Sequence, residues 1–204
     1  MLLQTCNNKV IYVNMRQKAA AKLLKRLGWT WIQKKAMPEK KCIVLGVPHT
    51  AISDWIVAYL YYTALGESMN ILIKEDFFKW PFKNWLIRHG GIPVKRTAGG
   101  GASTIRQAIN AFEKNDILRL GIAPEGTRKP VSKWKTGFHI IAQKAKVPVY
   151  LGYFDWGKKE IGYGEKIQLT DDIDIDMKRI QEHYKNLGIK ARHPEKFNCG
   201  TKIV

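Results

Sequence analysis

Cysteine is scarce in this chain: Cys6, Cys42 and Cys199 stand far apart in 204 residues. Three scattered thiols exclude a disulfide framework and a Cys-x2-Cys metal site. Cys42 falls in an apolar run, and a buried free thiol argues for a reducing compartment. Long apolar runs are missing too. No uninterrupted stretch approaches the ~20 residues that span a bilayer, and nothing resembles a cleavable signal. If membranes matter to this chain, it is expected to lie on them, at the cytoplasmic face, as a peripheral protein. Carboxylates are the third scarcity. Seventeen Asp and Glu face 35 Lys and Arg, a net charge of +18, with a pI near 9.9. Such a field attracts nucleic acid, an anionic membrane surface or a substrate on a large anionic donor. Composition leaves those three open.

What remains is enough for one well-cored α/β domain and short for two. The expected division is an N-terminal segment, 1–36, and a single domain, 37–204. From Arg16 to Lys35 the pattern is helical: Ala20, Leu23, Leu24, Leu27 and Trp31 share a stripe, and Arg16, Lys18, Lys22, Lys25 and Arg26 occupy the remaining face. A basic amphipathic helix with Trp29 and Trp31 at one end suits an interfacial anchor. It equally suits a first helix packed on the domain, since both uses bury the same stripe.

Further on, strands and helices alternate. Strands are expected at Cys42–Val47, Asn70–Lys74, Gly90–Arg96, Asp116–Pro124 and Val147–Gly152. Helices are expected from Trp55 to Leu65, from Phe82 to Arg88 with Trp85 and Leu86 packing inward, from a Ser103 cap onward, and from Trp134 to Lys146. That alternation predicts a mostly parallel central sheet with helices on its faces. Glu160–Leu169 reads as an edge strand or hairpin. The run Asp171–Asp176 resembles a calcium loop only superficially, because Met177 stands where the sharp-turn glycine belongs. It reads as an acidic turn capping a helix that Gly188 stops. The tail after His193 is expected to be loosely held.

Ligands of parallel sheets bind at the carboxyl ends of strands, and three polar clusters fall there. His49 leaves the first strand five positions before Asp54. On a continuous helix residues five apart diverge by ~140°, so the two meet only if His49 lies in the turn and Asp54 in the first helical turn. Ser53 or Asp54 suits the cap of that helix. Imidazole titrates near neutrality, and an acid beside it makes a general-base pair. Lys95 and Arg96 end the third strand. Glu125-Gly-Thr-Arg128 follows the fourth. The glycine run 99–101 matches neither Gly-x4-Gly-Lys-Ser/Thr nor Gly-x-Gly-x2-Gly and reads as a flexible connector.

Together these clusters resemble the glycerolipid acyltransferase family, which includes the lysophosphatidic acid acyltransferases. His-x4-Asp is present as His49 and Asp54, and Pro-Glu-Gly-Thr-Arg is present in full from Pro124 to Arg128. The second block, Gly-x-Ile-Phe-Ile-x-Arg, is matched by Gly90-Gly-Ile-Pro-Val-Lys-Arg96, with Pro93 in place of the phenylalanine. Val147-Pro148-Val149 corresponds to the fourth. The resemblance covers about residues 40 to 155.

It implies an α/β acyltransferase that moves an acyl chain from acyl-CoA or acyl carrier protein to the hydroxyl of a lysophospholipid-like or other lipid acceptor. His49 would be the base and Asp54 its orienting acid, as in hydrolase triads. No Gly-x-Ser-x-Gly elbow is present, so direct attack by the acceptor hydroxyl is expected. Arg96 and Arg128 would grip an anionic head group, since guanidinium forks hold phosphate oxygens in two places. Gly126 would let backbone approach the ligand, Glu125 would orient an arginine or the hydroxyl, and Thr127 would add a hydrogen bond. Lys74, Lys95 and Lys135 are plausible helpers. No cofactor or metal is implied; His89, His139, His183 and His193 show no metal spacing. The partners expected are the acyl donor, the lipid acceptor and an anionic membrane surface. A nucleic-acid-binding protein and a non-catalytic lipid-binding member of the fold are the competing readings. The spread of the cations and the lack of a recognised nucleic-acid module argue against the first.

Overall fold

The structure is a computed structural model and describes residues 15–95 and 101–199. Helix α1 (15–26) leads to a short strand, β1 (Thr30–Trp31). A β-strand–helix alternation follows: β2 (Lys41–Leu45), α2 (Ile52–Ala64), β3 (Asn70–Lys74), α3 (Lys83–Arg88), β4 (Gly91–Val94), α4 (Gly101–Lys114), β5 (Leu118–Ile122), α5 (Gly137–Ala145) and β6 (Val149–Tyr150). Then come β7 (Tyr153–Asp155), β8 (Glu160–Gly162), β9 (Lys166–Ile167) and α6 (Ile173–Leu187). The main sheet runs β4-β3-β5-β2-β6-β9. Every pairing in it is parallel except that of β9 with β6. This is the expected mostly parallel α/β sheet. Its parallel strands put the exits of β2, β3, β4 and β5 on one edge.

Strand β2 shows why the sheet is covered on both faces. Its sequence is apolar at successive positions rather than alternate ones, the signature of a strand buried from both sides. Ile43 and Leu45 belong to a core built with Ala108 and Phe112 of α4, Phe138 and Ile141 of α5, and Ile180 of α6. Cys42 and Val44 belong to the opposite core, with Val57 and Tyr61 of α2 and Leu24 of α1. The split follows the period-two geometry of a strand. At about 1.5–3 kcal/mol for each fully buried large apolar side chain, these two layers dominate the stability.

A second sheet, β1-β8-β7, sits beside the first. The region read as one edge strand or hairpin is thus divided: β8 joins the small sheet and β9 closes the large one. Val47 bridges to Tyr153, which ties the exit of β2 to the start of β7.

Several local expectations change. Helix α1 ends at 26 and packs Ala20 and Leu24 into the core. Trp29 is buried as well, so it is not an exposed aromatic anchor at the helix end. Trp85 is exposed rather than packed inward, because α3 lies on the surface with Leu86 as its inward residue. Ser103 stands inside α4, where its carbonyl and hydroxyl oxygens accept hydrogen bonds from Gln107. Residues 193–199 are held rather than loose: Trp134 Nε1 donates to the Asn198 carbonyl at 3.0 Å.

The acidic turn does cap α6, with the Asp172 side chain accepting from the amides of Asp174 and Ile175. Asp176 does something else. It is fully buried, and its Oδ2 takes hydrogen bonds from Thr170 N at 2.6 Å and from His139 Nε2 at 2.9 Å. Arg179 donates to its Oδ1 at 3.0 Å. Burial pushes this carboxyl up, but the hydrogen bonds from His139 and Thr170 outweigh it and hold it below 3.8. A depressed acid stabilises the fold above its unfolded pKa, and that contribution is lost as pH falls through the folded value. Replacing Asp176 with Ala strands the His139 ring and the Thr170 amide, and is expected to cost about 3 kcal/mol at pH 7 in urea unfolding. The loss should shrink below about pH 4.

Candidate active site

Two strand exits meet here. β2 and β5 are neighbours in register, with Leu45 opposite Ile122. The loop after β2 carries His49, and the turn after β5 carries Glu125.

Asp54 lies in the first turn of α2, where the spacing required it. Its Oδ2 stands 3.4 Å from His49 Nδ1. The same oxygen accepts from the amides of Thr50 and Ala51, both at 2.8 Å. Asp54 therefore reaches back to the orphan amides at the start of its own helix, the carboxylate half of a capping box. This local geometry aims it at the histidine. The other oxygen, Oδ1, accepts from Trp156 Nε1 at 2.9 Å. Asp54 is wholly buried, whereas the His49 side chain is 29 % exposed. With Nδ1 facing Asp54, Nε2 is the nitrogen free to face a ligand.

Glu125 holds His49 from the other side. Its Oε1 accepts the His49 backbone amide at 2.8 Å, a contact the sequence did not point to. Its Oε2 is buried and has no hydrogen-bond partner. Burial pushes the Glu125 carboxyl up from 4.5 to about 7, against the opposing pull of the hydrogen bond from His49. Unpaired and desolvated, Glu125 is a group whose charge state changes near neutrality.

The rest of the turn faces outward. Gly126 adopts φ +67, and a Cβ there would come 2.7 Å from Lys135 Cδ. The stem of Lys135 thus lies over the glycine, at the mouth of the site. Lys135 is tied there by its amide, which donates to the Pro124 carbonyl at 2.7 Å. Thr127 uses its hydroxyl to accept the Lys129 amide at 3.2 Å. Arg128 is exposed and makes no hydrogen bond or ion pair among the described residues. Arg96 lies outside the described residues. The residue before it is pinned to α4, since Lys95 N donates to Gln107 Oε1 and Gln107 Nε2 returns to the Lys95 carbonyl. Lys74, at the end of β3, pairs with Asp76.

Two contributors carried no signal in the sequence. Trp156 follows β7, 102 positions from the carboxylate it binds. Its ring is packed edge-on by Trp29, with centroids 4.9 Å apart, and covered by the Arg192 guanidinium at 4.8 Å and the Lys159 ammonium at 5.2 Å. Thr50, buried beside His49, accepts the His193 amide at 3.3 Å and so fastens the C-terminal region to the site.

Comparison with known proteins identifies the family. The family described as Acyltransferase matches residues 15–150. This chain belongs to that family and is an acyltransferase. Among solved structures it resembles the 1-acyl-sn-glycerophosphate (LPA) acyltransferase PlsC from Thermotoga maritima, with a TM-score of 0.58 at 17% identity. That likeness covers 89% of this chain and 81% of the other, and at such identity it speaks for the fold. No curated protein matches.

Trp156 binds Asp54 through its Nε1 and so bears on His49 through that carboxylate, which makes it a positioning residue. Trp156→Phe keeps the ring and removes the donor. Acyl-transfer kinetics of this variant are expected to show kcat down about tenfold, KM changed less than about twofold, and a shifted limb in the pH–rate profile. Glu125 gives a second expectation. A folded-state value raised from 4.5 to about 7 means that stability is present at low pH and lost as pH rises through that interval. Urea unfolding between pH 4.5 and 7.5 should show the parent losing up to about 3 kcal/mol relative to Glu125→Gln across the window.

Proposed function

We propose that the protein is a membrane-peripheral O-acyltransferase that esterifies the hydroxyl of a lysophospholipid-like or other lipid acceptor, with acyl-CoA or acyl carrier protein as donor and His49 as general base. The observation that carries the reading is the His49 imidazole poised beside a fully buried Asp54 in an acyltransferase-family chain. The acceptor class draws support from the fold shared with PlsC, whose own described substrate is a lysophosphatidic acid.

In this reading the acceptor O–H hydrogen-bonds to His49 Nε2. As the oxygen attacks the thioester carbonyl, its proton moves to Nε2, and Asp54 stabilises the imidazolium from Nδ1. The C–S bond then breaks, the ester forms, and the imidazolium returns its proton to the departing thiolate. Atoms balance with no enzyme-bound acyl group and no cofactor. Arg128 and Arg96 bind the acceptor phosphate, and the exposed Lys135 adds a further charge. The excess of cations suits the anionic donor, an anionic acceptor and the cytoplasmic surface of a membrane alike.

His49→Ala tests this. Transfer of radiolabelled acyl groups from acyl-CoA to lysophosphatidic acid should fall about 10³-fold, with the fold and vesicle binding retained. Activity that persists in the variant sinks the mechanism.

A further inference from the structure

The connection from β3 to α3 exposes a face that no core claims. Trp80 is 93 % exposed, Phe77 and Phe82 are each 64 % exposed, and Trp85 is exposed on α3. Helix α2 continues this face, turning Ile52 and Ile56 outward at one-turn spacing. The two parts are joined through Trp55 of α2, whose ring centroid lies 6.1 Å from that of Trp85. Single exposed apolar residues are ordinary, but a contiguous aromatic patch marks an interaction surface.

Charge says what meets it. Lys79, Lys83 and Arg88 are interleaved with the aromatics, and Glu75 and Asp76 are the only acids between 74 and 89. Aromatic rings that stand proud among cations match the boundary between headgroups and acyl chains, where indoles settle and phosphates pair with Lys and Arg. Position agrees: Ile52, at the start of the α2 part of this face, lies three residues beyond His49 in the chain. Helix α1, by contrast, spends Ala20 and Leu24 on the protein core, and Leu23 on it and Leu27 in the turn after it are exposed.

We infer that Phe77, Trp80, Phe82 and Trp85, with the outer stripe of α2, form the surface that docks on a bilayer carrying anionic headgroups. Trp80 and Phe82 enter the interface while Lys79, Lys83 and Arg88 meet phosphates. This deepens the acyltransferase reading and rests on it for the choice of lipid as the ligand. It also sets an orientation, with the His49 edge of the sheet toward the membrane.

The test uses the full chain and vesicles of phosphatidylcholine and phosphatidylglycerol in equal parts. In co-sedimentation, the W80S/F82S variant should bind about tenfold more weakly than the parent, and L23S/L27S, on α1 and the turn after it, should bind within about twofold of it. Both substituted aromatics are exposed, so circular dichroism should be unchanged. Acyl transfer to a short-chain acceptor below its micellar concentration should also be unchanged in W80S/F82S. Equal vesicle binding by parent and W80S/F82S, or a loss confined to L23S/L27S, overturns the proposal. So does a lipid-free dimer that W80S/F82S dissociates without altered vesicle binding, which assigns the face to a second copy. If the parent transfers no acyl chain in solution yet W80S/F82S still loses vesicle binding, the docking face stands and the acyltransferase reading fails. If transfer occurs and both proteins bind vesicles alike, the docking face alone fails.

Discussion

The buried carboxylate of Asp54 is the constraint on which the site depends. A charge taken from water needs partners on every lone pair, and leaving one unmatched costs several kcal/mol. Asp54 finds its partners in separate parts of the chain: the Thr50 and Ala51 amides in the loop after β2, His49 at the same loop, and Trp156 after β7. Each partner fixes a different element. The amides set where α2 begins. The indole requires the small sheet to sit against the main one, which the Val47–Tyr153 bridge also enforces. Trp29 and Arg192 then pack on that indole, so the segment after α1 and the region after α6 are drawn to the same carboxylate.

Glu125 supplies a second constraint of another kind. Its grip on the His49 amide locks the turn after β5 to the loop after β2. Backbone and imidazole of one residue are thus held by two different acids at the exit of β2. Yet the two acids are not equivalent. Asp54 has its lone pairs satisfied from three directions, whereas the spare oxygen of Glu125 is buried and unmatched. Burial raises Glu125 to about 7, since a desolvated carboxyl with one oxygen unmatched favours its protonated form.

Much of this was legible in the sequence, for definite reasons. The alternation of apolar runs and helical stripes between 42 and 152 gave the parallel sheet, because strands buried on two faces and amphipathic helices have different periods. The His-x4-Asp spacing required a turn followed by a helix start, and that is how His49 and Asp54 meet. What stayed hidden depends on contacts across long sequence separations. Nothing local to Trp156 announces a carboxylate 102 positions away, and nothing in Glu125 announces an amide of residue 49. Trp85 and Ser103 were misplaced for a different reason. A six-residue helix has too few residues to define a buried face, and a serine near a helix start fits both the cap and the first turn.

The site also divides by depth. Asp54 and Glu125, which hold His49, are out of solvent, while Arg128 and Lys135, beyond β5, are exposed. Buried acids act over short range and set geometry; exposed cations act over a Debye length and recruit. Reversing the arrangement would defeat both tasks. Cations beside the imidazole would oppose a positive charge on it, and carboxylates at the rim would repel an anionic ligand. His49, 29 % exposed beside the fully buried Asp54, sits at the border between the two zones.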